Sequence, residues 1–317
     1  RRPHRSFRLT KRRDYKRRLD LPGYIAFTHY VLSRIANHWK IFGGLALTYT
    51  VLAISLGTMT SQDSYNEISA MVQGVGGELI TGNLSAIFQA TAVSLGAFTS
   101  SSSLTDVQRM YVGIMIVLTW LTTVWLLREY MVGRTPRLRD GIYNSAAPLV
   151  STVLVALWLL VQLLPIGLTA VMFSGLVSAG LFTNAFGAFI FAVLAILLIS
   201  LSLYWMTGTF IALVVVTLPG MYPTRALQAA GDLVIGRRLR ILYRIIWLLL
   251  VTAIFWIAIM VPAVVLDTWL QSKLDWMIIV PWVPVLASLL AATTVIWTSS
   301  YIYLLYRKVV DDDTSPA

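Results

Sequence analysis

Six apolar runs punctuate the chain, at about residues 41–58, 111–127, 149–172, 186–218, 241–266 and 277–306. At 1.5 Å of rise per residue, a helix needs about 17 or more such residues to cross roughly 30 Å of hydrocarbon. Each run meets that length, so the pattern predicts an all-α, polytopic integral membrane helical bundle of about six transmembrane helices. Three stretches of a different kind precede apolar runs. Residues 22–40, 136–146 and 223–244 mix apolar and basic positions behind a proline, as a helix lying in the headgroup layer does. They predict cytoplasmic amphipathic surface helices, set out as three units of surface helix plus span pair. The competing explanation for that recurrence is that any inner loop of a six-span protein starts with proline and arginine.

The remaining segments are read by default. Residues 1–20 form a basic cytoplasmic arm, and residues 21–317 form a single transmembrane domain. Some 40 polar and basic residues come before the first apolar run, which weighs against a cleavable signal peptide. Residues 84–98 are apolar but short and rich in Gly, Ser and Thr, so an interfacial or re-entrant segment is expected there. Pro165 is expected to kink the third span. Residues 174–184 read as a small-residue hairpin, and the acidic residues 311–317 as a disordered tail.

Helix punctuation is explicit in places. Thr135 followed by Pro136 reads as a cap with proline at the first helical position. Gly236 reads as a left-handed stop between the helix that begins near Pro223 and the span that follows.

Charge fixes the orientation. Hydrophobic residues make up 57% of the 317 and charged residues only 12%, which weighs against a soluble domain. The chain holds 25 Lys and Arg against 14 Asp and Glu, and only Arg109 and Lys273 of the basic set fall in loops assigned outside. The positive-inside rule then places both termini in the cytoplasm of a plasma-membrane protein.

Candidate chemistry is sparse. With no cysteine, thiol nucleophiles, disulfides and thiolate metal sites drop out. No ionisable residue lies in the central part of any span, which lowers the odds of a proton-coupled carrier or an intramembrane hydrolase. Gly74, Gly76 and Gly77 lack the third glycine of a dinucleotide loop, and no P-loop, G-x-S-x-G or H-E-x-x-H occurs. His29 and His38 are nine apart, not a helical ligand spacing. No catalytic residue, metal or cofactor is assigned.

The arginines carry what remains. Arg225, Arg237, Arg238, Arg240 and Arg244, with Arg137 and Arg139 on the preceding basic loop, are candidate ligands for anionic lipid or phosphate. The plainer reading is a set of snorkelling side chains that anchor spans at the headgroups. Gln162 and Asn184 are candidates for a polar path, with interhelical packing as the commoner role. The arm has only Phe7 and Tyr15 to stack on bases, so nucleic acid is disfavoured as a partner.

Residues 226–247, ALQAAGDLVIGRRLRILYRIIW, are similar to a pattern found in bacterial polytopic membrane proteins, including the membrane domain joined to glycerophosphodiester phosphodiesterases. Residues 139–148, RDGIYNSAAP, and 9–30, LTKRRDYKRRLDLPGYIAFTHY, carry the same resemblance. It implies a six-span helical membrane fold without an assigned reaction; the phosphodiesterase domain has no counterpart here. The expectation is a non-catalytic membrane protein whose basic face binds anionic phospholipids or a cytoplasmic protein. A permease or lipid transporter is the alternative, and an intramembrane enzyme the second.

Overall fold

The computed structural model describes residues 21–57, 106–178, 185–271, 273 and 282–314. Among these residues every regular element is an α-helix: α1 Tyr24–Asn37, α2 Trp39–Gly57, α3 Asp106–Met131, α4 Leu138–Ser145, α5 Leu149–Ser178, α6 Ala185–Val215, α7 Pro223–Val234, α8 Arg238–Gln271 and α9 Trp282–Thr314. Five of them, α3, α5, α6, α8 and α9, are long and apolar enough to cross a membrane, which makes this a multi-pass membrane protein. The apolar part of α2, Trp39–Ser55, falls below that length, so a sixth span stays an expectation. Residues 1–20, 84–98 and 315–317, and Asn184, lie outside the described residues.

Several boundaries differ from those read in the sequence, and each has a local cause. The helix at the second basic loop begins at Leu138, with Arg137 as its N-cap in an extended conformation (φ −84°, ψ 153°). Pro136 therefore lies ahead of the helix rather than in its first turn, and no side chain caps it. The start at Pro223 is as expected, with proline in the first turn and Tyr222 as N-cap. Helix α5 runs through Pro165 and on to Ser178, into the expected hairpin. Helix α9 starts at Trp282 and continues to Thr314, so residues 311–314 of the expected tail are helical. Arg307 and Asp311 stand four apart there, a spacing that favours the helix.

The chain divides into two compact units. One holds residues 1–34, 147–248 and 300–317. In it α5 packs along α6, and α7 lies against both. The buried stripe of α7 is Ala226, Ala230 and Val234, spaced four apart, so small side chains bring its backbone close to the pair. Along α5 and α6 the apolar surface is largely exposed, including Leu164, Val171, Phe189 and Ile196, which suits helices solvated by lipid chains.

The other unit holds residues 35–146 and 249–299. Here α2 pairs with α3, and α4 rests on both. A methyl group built on Gly141 of α4 would stand 3.0 Å from Leu126 Cδ2, so any larger residue requires the Leu126 side chain to shift by a few tenths of an ångström. In the same unit Met260, Val283, Ala287 and Leu290 form an apolar cluster flanked by Trp256 and Trp282. The two tryptophans donate to Thr294 Oγ1 (2.9 Å) and Asp267 Oδ1 (2.6 Å).

One arrangement recurs within the units. Helix α4 covers the pair α2 and α3, and α7 covers α5 and α6. Helix α1 covers the first turns of α8 and the last turns of α9, through Phe27 against Tyr301 (4.9 Å, edge to face) and Trp247 Nε1 donating to Thr28 Oγ1 (3.0 Å). Each short helix thus rests on a long pair other than the one it leads into. Of the two explanations for the threefold sequence pattern, this common packing favours a structural repeat.

Candidate functional site

The arginine-rich junction between α7 and α8 is shaped by one turn. Ile235 N–H donates to Gly231 C=O (3.2 Å), and Arg237 N–H to Val234 C=O (3.0 Å). Between them Gly236 takes φ +79°, the left-handed conformation expected of it. The turn lets α8 begin at once with Arg238, and it presents four arginines to different surroundings.

Arg237 is 3% exposed and directs Nη1 to the carbonyl of Val309, near the end of α9 (3.2 Å). Arg244, two turns on, is 5% exposed. Its Nη2 donates to Pro22 C=O, and its guanidinium lies over the rings of Tyr24 (4.4 Å) and Phe27 (5.4 Å). Arg244 Nη1 is buried without a hydrogen-bond acceptor. Arg238 lies over the ring of Tyr204 (4.4 Å), while Arg240 and, on α7, Arg225 are exposed. In the other unit Arg137 and Arg139 are exposed at the start of α4.

Six of the seven candidate arginines thus separate into two classes, and Arg238, half-buried over Tyr204, stands between them. Arg237 and Arg244 hold α8 to α9 and to the segment before α1, both through main-chain carbonyls and Arg244 also through aromatic faces. Such contacts retain the charge inside, because cation–π contacts contribute about 2 kcal/mol when desolvated and a charged hydrogen bond about 1.5–3 kcal/mol. Arg137, Arg139, Arg225 and Arg240 keep their head groups at the surface. A signal for this division lay in the spacing. Arg237, Ile241, Arg244 and Leu248 follow at intervals of four, three and four, the buried stripe of a packed helix, and all four are buried.

Gln162 is a fastener between α5 and α6. Its Oε1 accepts from Thr209 Oγ1 (2.7 Å), and its main-chain carbonyl accepts from Ser202 Oγ. Pro165 cannot donate to the carbonyl of Val161, and the Ser202 bond falls on the next carbonyl along, that of Gln162.

Two polar features escaped sequence reasoning because their members are distant in sequence. Thr122 Oγ1 donates to Leu118 C=O (2.8 Å) and stands within hydrogen-bond distance of Tyr49 Oη (3.2 Å) and Ser145 Oγ (3.0 Å). With its own proton committed, Thr122 accepts from both, joining α2, α3 and α4. The second is the buried carboxylate of Asp267 on the Trp282 indole, in a residue expected in an outer loop. Among the described residues no three His, Asp or Glu come together as metal ligands. What the arginines offer is donors and positive charge, suited to binding an anion.

Comparison with protein-family models, with curated proteins and with solved structures finds no match to this chain.

Proposed function

We propose that the chain is a non-catalytic bacterial plasma-membrane protein with both termini in the cytoplasm. Its basic cytoplasmic face binds the headgroups of anionic phospholipids. The observation that carries this reading is the division among the arginines. Arg237 and Arg244 are occupied by internal contacts, while Arg137, Arg139, Arg225 and Arg240 remain exposed near the starts of α4, α7 and α8. If those four meet an anionic surface, each adds about 1 kcal/mol of attraction. Exposed apolar side chains on the long helices supply the hydrocarbon-facing part of the same lipid contact.

Native mass spectrometry of the protein released from mixed phosphatidylglycerol and phosphatidylcholine tests the proposal. The wild type is expected to retain phosphatidylglycerol preferentially. The combined variant Arg137→Gln, Arg139→Gln, Arg225→Gln, Arg240→Gln should lose that preference. Equal retention of the two lipids by the wild type, or an unchanged preference in the variant, removes the proposal.

A further inference from the structure

Of the seven candidate arginines, Arg238 alone is neither exposed nor bonded to a main-chain carbonyl. It is half-buried, and its guanidinium lies over the ring of Tyr204 on α6 (4.4 Å). Among the described residues nothing accepts a hydrogen bond from it or pairs with its charge. A ring face attracts the cation but offers no oxygen, and the five N–H donors of a guanidinium form a planar fork that fits a phosphate bidentately. Half-buried donors without an acceptor are costly, so the position favours an acceptor from outside the chain.

Two features of α6 put this pair at the edge of the hydrocarbon. From Phe186 to Trp205 most side chains are exposed, and from Met206 to Val216 most are buried. The exposed part is about 30 Å long at 1.5 Å per residue, one hydrocarbon thickness. Its inner end is marked by Tyr204 and Trp205, 48% and 45% exposed, residue types that gather at headgroup level. Outward from Tyr204 the same face of α6 continues through Leu197 and Val193, both exposed, at intervals of seven and four. That track is about 16 Å long, the depth of one leaflet. We infer that Arg238 and Tyr204 form a site for one phospholipid of the cytoplasmic leaflet, with the phosphodiester on Arg238 and an acyl chain along Leu197 and Val193. The leaflet rests on the orientation proposed for the chain. The site does not depend on the proposed headgroup preference, because neutral and anionic phospholipids share the phosphodiester.

The test is native mass spectrometry of the full chain released from pure phosphatidylcholine, a neutral lipid, with stepwise activation to strip bound lipid. The wild type is expected to keep one phosphatidylcholine after the rest have left, and diacylglycerol, which lacks the phosphate, should not replace it. Arg238→Gln should weaken that retention about tenfold or more, through loss of charge-assisted hydrogen bonds. Tyr204→Leu should weaken it about threefold, through loss of the ring that holds the guanidinium. The Tyr204 side chain is half exposed and leucine suits a span, so this variant decides the matter if Arg238→Gln fails to fold. The combined variant at residues 137, 139, 225 and 240 should keep the lipid. Equal retention of phosphatidylglycerol and phosphatidylcholine would remove the headgroup preference and leave this site standing. No retained phosphatidylcholine in the wild type, equal retention of diacylglycerol, or a retention that either Arg238→Gln or Tyr204→Leu leaves unchanged, overturns the site.

Discussion

Thr122 illustrates how much one side chain can hold in a helical membrane protein. Its hydroxyl joins Tyr49 on α2 to Ser145 on α4, and all three residues are buried. Replacing it with the isosteric valine keeps the packing and leaves the buried Tyr49 hydroxyl without its acceptor, while Ser145 Oγ keeps the carbonyl of Ile142 (3.4 Å); the loss costs about 1–3 kcal/mol. Thr122→Val should therefore lower the unfolding free energy in detergent by that amount, while Thr122→Ser stays close to wild type. Equal stability of the valine variant would show that the Tyr49 hydroxyl finds another partner. The contact was invisible in the sequence because its members are 73 and 23 positions apart. The arginines present the reverse case. Their positions were evident, but equivalent guanidinium groups go inward at 237 and 244 and outward at 240, and only the register of α8 against its neighbours separates them.

At the scale of elements, the spans were the legible part, because a run of apolar residues of hydrocarbon length allows few alternatives to a helix. Ends were less so. The Thr135–Pro136 signal lost to an extended Arg137, whereas Pro223 and Gly236 behaved as punctuation should. Three glycines near the covering helices make this testable. Gly236 has φ +79°, where an L side chain costs about 1–2 kcal/mol, so Gly236→Ala should destabilise by that amount. Gly231, within α7, has nothing within 4 Å of a Cβ, and Gly231→Ala should stabilise by up to about 1 kcal/mol through helix propensity. Gly141→Ala, pressed on Leu126, should cost about 1–3 kcal/mol by overpacking. Thermal unfolding of the three variants checks both signs and order; a stabilised Gly236→Ala would contradict the geometry of the junction.

At the scale of the molecule, the absence of cysteine makes sidedness directly measurable with single introduced thiols. If both termini face the cytoplasm, a membrane-impermeant maleimide applied to intact cells should label Lys273→Cys and spare Asn144→Cys until the membrane is permeabilised. Labelling of Asn144→Cys in intact cells would reverse the orientation. The packing of the short helices on long pairs has a further consequence, for synthesis. Helix α4 emerges after the pair it covers, and so does α7, so each can seat as soon as it is made. Helix α1 is made before α4 and α7, yet it rests on α8 and α9, the second of which is completed about 290 residues after α1 begins. At roughly 5–20 residues per second it waits on the order of 15–60 s for its seat. Helix α1 thus seats later than α4 and α7, and a nascent chain halted before Trp282 should leave Phe27, buried in the finished protein, open to a protease.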